Sequence, residues 1–304
     1  HNTHNTHNTH NLTPHLRHMA GKYPINETVT GDVYRGLTLE DTFTRIYSTS
    51  AWGKGSGAGS VPVHCLEWIN FVRKFIKENE VASVGDLGCG DWQFSPYIYH
   101  DLAVKYVGYD VVLPVIEENR QKWGENGYQF EHLEFSTKIP EIADAELYIL
   151  KDVLQHWSSE RINRFLQELL STKSKCRFVL LCNCAEPVDW PNDDIGDGGW
   201  RPLFADRAPL AAFKPEVLLK FKSLPNMKEV CLLRPKKPSA QDHQEEEAKR
   251  QAAGNAAVAF SCEESAQRVS SWSDHSTSKK GTTEATRPDD VDPTADSTTS
   301  DGKK

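Results

Sequence analysis

The stretch Ser83-Val84-Gly85-Asp86-Leu87-Gly88-Cys89-Gly90-Asp91-Trp92 decides how this chain reads. It closes an apolar run, Val81–Leu87, with an acidic residue and two glycines, the pattern of a buried strand that turns sharply into a helix. Glycine alone lets the backbone turn that tightly and come close to a ligand, and a helix start offers N–H groups without intrahelical partners. A dinucleotide site asks for G-x-G-x-x-G, and here Gln93 stands where the third glycine would be. What remains is D-x-G-x-G, with Asp86 two residues ahead of Gly88.

Outward from this turn, strands and helices alternate. Apolar residues at Cys65, Leu66, Ile69, Val72, Phe75 and Ile76 follow a helical period before the turn. After it, Tyr106–Val111 reads as a second strand and Pro114–Trp123 as a helix with proline in its first turn. Tyr128–Phe135 and Leu147–Leu150 read as strands three and four. Ile162, Phe165, Leu166, Leu169 and Leu170 then line one face of an amphipathic helix, capped by Ser158 or Ser159 with Glu160 in its first turn. Arg177–Leu181 is a fifth strand, and Val217–Leu233 supplies two more about a turn near Ser223–Asn226. This order implies an α/β fold: a Rossmann-like, doubly wound, mostly parallel seven-stranded sheet with helices on both faces.

Ligands of such sheets bind beyond the carboxyl ends of the strands. That rule gathers Gly88 and Gly90 after strand one, Asp110 at the end of strand two, and Glu134-Phe135 at the end of strand three. Lys151-Asp152 follow strand four, and Asn183 with an acidic segment follows strand five. Asp110 lies 22 residues beyond Gly88 (110 − 88), near the spacing at which a carboxylate meets a ribose. Such spacing suits any adenosine-containing cofactor.

Over residues 40–235 the chain resembles a mostly uncharacterised, small-molecule-type family of class I S-adenosylmethionine-dependent methyltransferases. The residues that carry the resemblance are Phe43-Thr44-Arg45-Ile46-Tyr47, Trp52-Gly53, the Gly55–Ser60 loop and Asp86–Phe94. Tyr106–Asp110, Lys151-Asp152-Val153-Leu154-Gln155-His156-Trp157 and Gly198-Gly199-Trp200-Arg201-Pro202-Leu203 complete it. The resemblance implies S-adenosyl-L-methionine as cofactor, with S-adenosyl-L-homocysteine as product. It also implies that Gly88 and Gly90 pass beneath the amino-acid part, that Asp86 orients the ammonium and that Asp110 takes the ribose. Glu134 and Phe135 border the adenine, and Val111 and Lys151 join the cofactor set. Where many relatives carry a third glycine, this chain has Trp92.

The Gly55–Ser60 run lacks the G-K-[ST] ending of a phosphate loop. Its position, with Trp52 before it, fits a lid that brings Trp52 and Ser60 to the cofactor, a flexible linker being the alternative. Transfer of a methyl group needs mainly alignment and exclusion of water, plus a base when the acceptor must lose a proton. His156 is the candidate base, against a reading as a histidine that only bonds backbone. Asp152 is placed beside it in the catalytic set, with a structural role as alternative. Trp157, Asp193, Asp194, Trp200 and Arg201 form the candidate substrate set, because carboxylates and tryptophans suit a polyhydroxylated or cationic small molecule. The acidic segment lacks the glutamate an EF-hand needs, since Leu203 and Phe204 stand at the relevant places, and no metal is assigned.

Composition bounds the remaining choices. A net charge of −8 argues against a dedicated nucleic-acid binder. No apolar run approaches membrane-spanning length and no secretory segment is read, so the expectation is a cytoplasmic protein without membrane contact. The seven cysteines show no regular framework. Residues 1–18, opening with His-Asn-Thr triplets, read as a tag, residues 19–60 as an N-terminal segment and lid, and residues 61–237 as the catalytic domain. Residues 238–304, rich in Ser, Thr, Glu, Lys, Asp and Ala, read as a disordered tail open to unknown protein partners. A protein or nucleic-acid methyltransferase, or a non-catalytic scaffold of the same fold, are the alternative functions.

Overall fold

The computed structural model describes residues 27–223 and 226–235. The expectations for a tag over 1–18 and a tail over 238–304, and the start of the 19–60 segment, lie outside the described residues.

Seven strands form one sheet: β1 Ser83–Leu87, β2 Lys105–Asp110, β3 Gln129–His132, β4 Leu147–Lys151, β5 Phe178–Cys184, β6 Glu216–Ser223 and β7 Asn226–Leu233. Their spatial order is β3-β2-β1-β4-β5-β7-β6. The pairings among β1 to β5 are parallel, and β7 runs antiparallel between β5 and β6. The chain moves from β1 outward to β3 and then returns to β4 on the other side of β1. The loops leaving β1 and β4 therefore part in opposite directions, which opens a crevice at their carboxyl ends.

The helices are α1 Glu27–Thr30, α2 Leu39–Ser48, α3 Leu66–Glu78, α4 Pro96–Tyr99, α5 Leu113–Trp123 and α6 Ser159–Thr172. Alternation along the strands feeds two cores. Tyr148 and Leu150 of β4 and Val179 and Leu181 of β5 face the apolar stripe of α6 (Ile162, Phe165, Leu166, Leu169) together with Phe43 and Ile46 of α2. Leu147, Ile149, Leu180 and Cys182 face Trp68, Ile69, Val72 and Phe75 of α3 on the other side. Ser158 caps α6 by accepting from the Arg161 N–H, and Glu160 occupies the first turn. Among the described residues no helix is long and apolar enough to cross a membrane.

The structure revises three local expectations. Strand three is shorter than Tyr128–Phe135 and ends at His132, so Glu134 and Phe135 follow it rather than end it. Strand five continues to Cys184, which puts Asn183 inside the sheet opposite Glu229 instead of beyond it. The glycine turn does not lead straight into a long helix, because only the single turn of α4 follows and it starts at Pro96. Its N–H groups are not free: Gly88 and Cys89 donate to the Tyr109 carbonyl at 2.8 and 3.0 Å.

Trp92 has φ 57°. A left-handed backbone costs a side-chain-bearing residue about 1–2 kcal/mol. The Trp92 ring is 1% exposed and packs with Tyr99, Tyr106, Trp123, Tyr128 and Phe130. Burying about 200 Å² of aromatic surface contributes about 5 kcal/mol, which outweighs the backbone cost. Trp92→Ala keeps the strained backbone and loses the packing. Urea unfolding is expected to show a loss of about 3–5 kcal/mol, whereas a loss below about 1 kcal/mol would mean the ring does not hold the turn.

Candidate active site

A cavity of about 380 Å³ opens at the carboxyl ends of the parallel strands. Of the residues singled out from sequence, Trp52, Ser60, Asp86, Gly88, Gly90, Asp110, Val111, Glu134, Phe135, Lys151, Asp152, His156, Trp157 and Trp200 line it. Asp193, Asp194 and Arg201 do not.

Three bonds shape the turn after β1. Asp110 accepts the Gly90 N–H on Oδ2 and the Val112 N–H on Oδ1, both at 3.0 Å. Asn119 Nδ2 donates to the Gly90 carbonyl at 2.7 Å. Glycine is required at both turn positions. Gly88 has φ 85° and a Cβ there would lie 2.4 Å from Val153 Cγ2; Gly90 has φ 56° and its Cβ would lie 2.4 Å from Ser56 Oγ. Burial raises the Asp110 carboxyl, against the pull of its backbone donors. The carboxylate lines the cavity as an acceptor.

Asp86 is buried, and its Oδ2 accepts from the Tyr106 hydroxyl at 2.8 Å. That hydroxyl accepts in turn from Trp92 Nε1 at 2.7 Å, so the strained tryptophan fixes the acid through one intermediate. Burial raises the Asp86 carboxyl to about 7, with the nearby Asp110 adding to it and the Tyr106 hydrogen bond opposing it. A carboxylate so short of solvent and donors is suited to meet a cationic group.

The Gly55–Ser60 loop folds over the turn and is latched to it. Ser56 N–H donates to Asp91 Oδ2 at 3.0 Å, and Asp91 N–H donates to Ser56 Oγ at 2.9 Å. Ser56 Oγ also bonds the Tyr47 hydroxyl at 2.7 Å. Farther along the loop, the Gly59 carbonyl accepts from Lys151 Nζ at 2.8 Å. Trp52 packs at a tilt against the His156 ring, with centroids 4.7 Å apart, and touches Phe43 and Tyr47.

His156 sits in a single 3-10 turn, Leu154–His156, after β4. Its Nδ1 lies 2.8 Å from the Gly199 carbonyl, which can only accept, so Nδ1 carries the proton and Nε2 is the acceptor. The Gln155 amide nitrogen lies 3.5 Å from Nε2. Burial lowers the imidazole to about 4, against the Gly199 bond and the charge of Asp152, so the ring is neutral at physiological pH.

Asp152 lines the cavity, but its carboxylate is engaged by two lysines. Its Oδ2 accepts from Lys151 Nζ at 2.6 Å and its Oδ1 from Lys228 Nζ. Burial pushes this carboxyl up, but the two ammonium groups prevail and hold it well below the carboxylate range. A carboxylate so held is a counter-ion to two lysines and a poor proton acceptor. Lys228 escaped the sequence reading. The available signal was a charged pair, Lys228-Glu229, inside a strand otherwise apolar at its end.

The acidic loop after β5 also differs from expectation. Asp194 accepts the Ser159 N–H at 2.8 Å, and Asp197 accepts the Ser158 N–H at 2.9 Å and Arg161 Nε at 2.9 Å. These carboxylates serve the amino end of α6, where N–H groups lack helical partners and the dipole is positive. Arg201 is 3% exposed and donates to the Asp193 and Trp157 carbonyls, Ser159 Oγ and Asp194. Asp193, Asp194 and Arg201 thus bind the loop to the helix instead of lining the cavity. Only Trp157 and Trp200 of the substrate set reach it. Among the described residues no cluster of His, Cys, Asp or Glu could hold a metal ion.

Comparison with solved structures returns methyltransferases. Magnesium protoporphyrin IX methyltransferase from Synechocystis PCC 6803 with bound S-adenosylmethionine aligns at a TM-score of 0.44 and 16% identity, over 70% of this chain and 98% of that one. Human N-acetylserotonin methyltransferase in complex with S-adenosylmethionine aligns at 0.43 and 16%, over 66% and 61%. An O-methyltransferase family protein from Burkholderia thailandensis aligns at 0.45 and 9%, over 57% of each. No family model matches the chain. No curated protein matches it either.

Arg201→Met separates a structural from a substrate-binding role. It leaves the Trp157 carbonyl without that donor inside the fold, and thermal or urea unfolding is expected to show a loss of about 2–3 kcal/mol. Unchanged stability would return Arg201 to the substrate set.

Proposed function

We propose that the chain is an S-adenosylmethionine-dependent methyltransferase acting on an oxygen or nitrogen of a small molecule. The observation that carries this reading is the single cavity that brings Asp86, Asp110 and His156 together under a latched lid. The donor set fits the cofactor. Asp86 is a buried carboxylate for its ammonium, and Asp110 a fixed acceptor for ribose hydroxyls. Val111 and Phe135 are buried apolar neighbours for a purine, with Glu134 beside them.

Bound there, the cofactor would supply an electrophilic methyl group on a sulfonium. The chain's part is to position the acceptor, exclude water and take a proton. His156 is the group that takes it. Its Nε2 is held as an acceptor by the Nδ1–H bond to Gly199, and its orientation is fixed by Trp52. Burial makes it a weak base, which suffices because an oxygen or nitrogen becomes far more acidic as it gains a methyl group. Trp52, Phe43 and Trp157 supply apolar walls against water.

Two outcomes are expected. Incubation of the protein with a labelled methyl donor and a metabolite extract should label a small molecule, and His156→Ala should lower that turnover by about 100-fold without changing S-adenosylhomocysteine affinity. Label found only in protein or nucleic acid would favour the alternative substrates, and full turnover in His156→Ala would remove it as the base. Secondly, an ammonium partner requires ionised Asp86, whose carboxyl sits at about 7. Affinity for S-adenosylhomocysteine should therefore weaken as pH falls below 7, by up to about tenfold per unit, and level off above it. Asp86→Asn should bind more weakly and without that pH dependence, and a flat wild-type profile would contradict the assignment of Asp86.

A further inference from the structure

The wall of the cavity formed by β4, β5 and β7 carries more positive charge than the fold itself answers. Lys151 and Lys228 are 8% and 3% exposed, and both line the cavity. Asp152 bonds both of them. Among the described residues no other carboxylate lies within ion-pair distance of either lysine. Cys184 Sγ accepts from Lys228 at 3.0 Å, but burial raises that thiol, so it stays neutral. Two ammonium groups against the one carboxylate in contact with them leave a local excess of +1 (2 − 1), which Asp86 in the same cavity answers only at longer range. A buried ion without a partner is strongly unfavourable.

The donors are unanswered as well. An ammonium group has three N–H bonds. Lys151 spends two, on the Gly59 carbonyl and Asp152, and Lys228 spends two, on Asp152 and Cys184. Among the described residues one hydrogen-bond donor remains on each, with Lys151 Nζ also 5.0 Å from the Phe94 ring centroid. Ser223, only 2% exposed, lines the same cavity, and its Oγ has no hydrogen-bond partner among the described residues.

We propose that the methyl acceptor is a carboxylate-bearing small molecule whose anionic group seats on Lys151 and Lys228, with the Ser223 hydroxyl as a further donor in the same cavity. The inference rests on the methyltransferase reading above. A carboxylate matches the single surplus charge and offers two oxygens to two open N–H bonds. A phosphate monoester carries close to twice that charge. Of the polyhydroxylated or cationic acceptor expected from the acidic loop, the cationic option is disfavoured by this wall: Asp194 and Asp197 are spent on the start of α6, and the charge that β4 and β7 present here is positive. The cofactor's own carboxylate is the other source of the same chemistry, and a lysine substitution distinguishes the two.

The test is calorimetry on the full chain with benzoate and its neutral analogue benzamide, with and without saturating S-adenosylhomocysteine. Benzoate is expected to bind at least about tenfold more tightly than benzamide. Lys228→Met should erase that preference while S-adenosylhomocysteine affinity stays within about twofold. Asp152→Asn removes the internal anion and should tighten benzoate, an opposite sign that remains measurable if Lys228→Met does not fold. Equal binding of the two probes, no binding of benzoate, or weaker benzoate binding in Asp152→Asn would overturn the proposal. A collapse of S-adenosylhomocysteine affinity in a folded Lys228→Met would also overturn it, by assigning the lysines to the cofactor. If wild type fails to bind S-adenosylhomocysteine, the methyltransferase reading falls, and the probe preference measured without it still decides whether the wall is an anion site.

Discussion

The Asp110 carboxylate is the constraint on which the site depends. Standing at the carboxyl end of β2, it accepts one N–H from the glycine turn after β1 and one from the start of the segment that follows its own strand. Two adjacent strand ends are thus tied to one side chain, and the turn is held open toward the cavity. The reciprocal bonds between Ser56 and Asp91 attach the lid loop to the same turn. The N–H groups of Gly88, Cys89, Gly90 and Asp91 are all used inside the fold. The turn forms a shaped floor, with Asp86 and Asp110 beside it in the cavity.

Trp92 shows how this floor tolerates a residue that its backbone disfavours. A left-handed tryptophan is stable here because its ring completes an aromatic cluster between β2, β3 and α4. The same ring donates to the Tyr106 hydroxyl, which donates to Asp86. Packing on one face of the sheet therefore sets the direction of a carboxylate in the cavity. A glycine at this position would relieve the backbone and leave the Tyr106 hydroxyl, which bonds Asp86, without its indole donor.

Much of the fold was legible in the sequence because its signals are periodic. The apolar stripe Ile162, Phe165, Leu166, Leu169 and the strand alternation between Leu147 and Leu150 state burial directly. The placing of Asp86 and Asp110 in one cavity was legible because the ends of neighbouring parallel strands collect on one edge of the sheet. Three features had no such signal. Lys228 reaches the site on an antiparallel strand inserted between β5 and β6, an order that the chain sequence does not state. The acids of the loop after β5 have the composition of a binding loop, yet Asp194 and Asp197 are used up by the free N–H groups of α6. Asp152 looks like a catalytic acid until its two lysines are seen. In each case a long-range partner, invisible in local pattern, decides what the charge is for.

Titration calorimetry of the wild type and Asp110→Ala with S-adenosylhomocysteine and with NAD bears most directly on the central claim. The account requires that S-adenosylhomocysteine bind the wild type, that NAD not bind, and that Asp110→Ala lose at least about tenfold in affinity while remaining folded. Binding of NAD without S-adenosylhomocysteine, or undiminished S-adenosylhomocysteine affinity in Asp110→Ala, would contradict it.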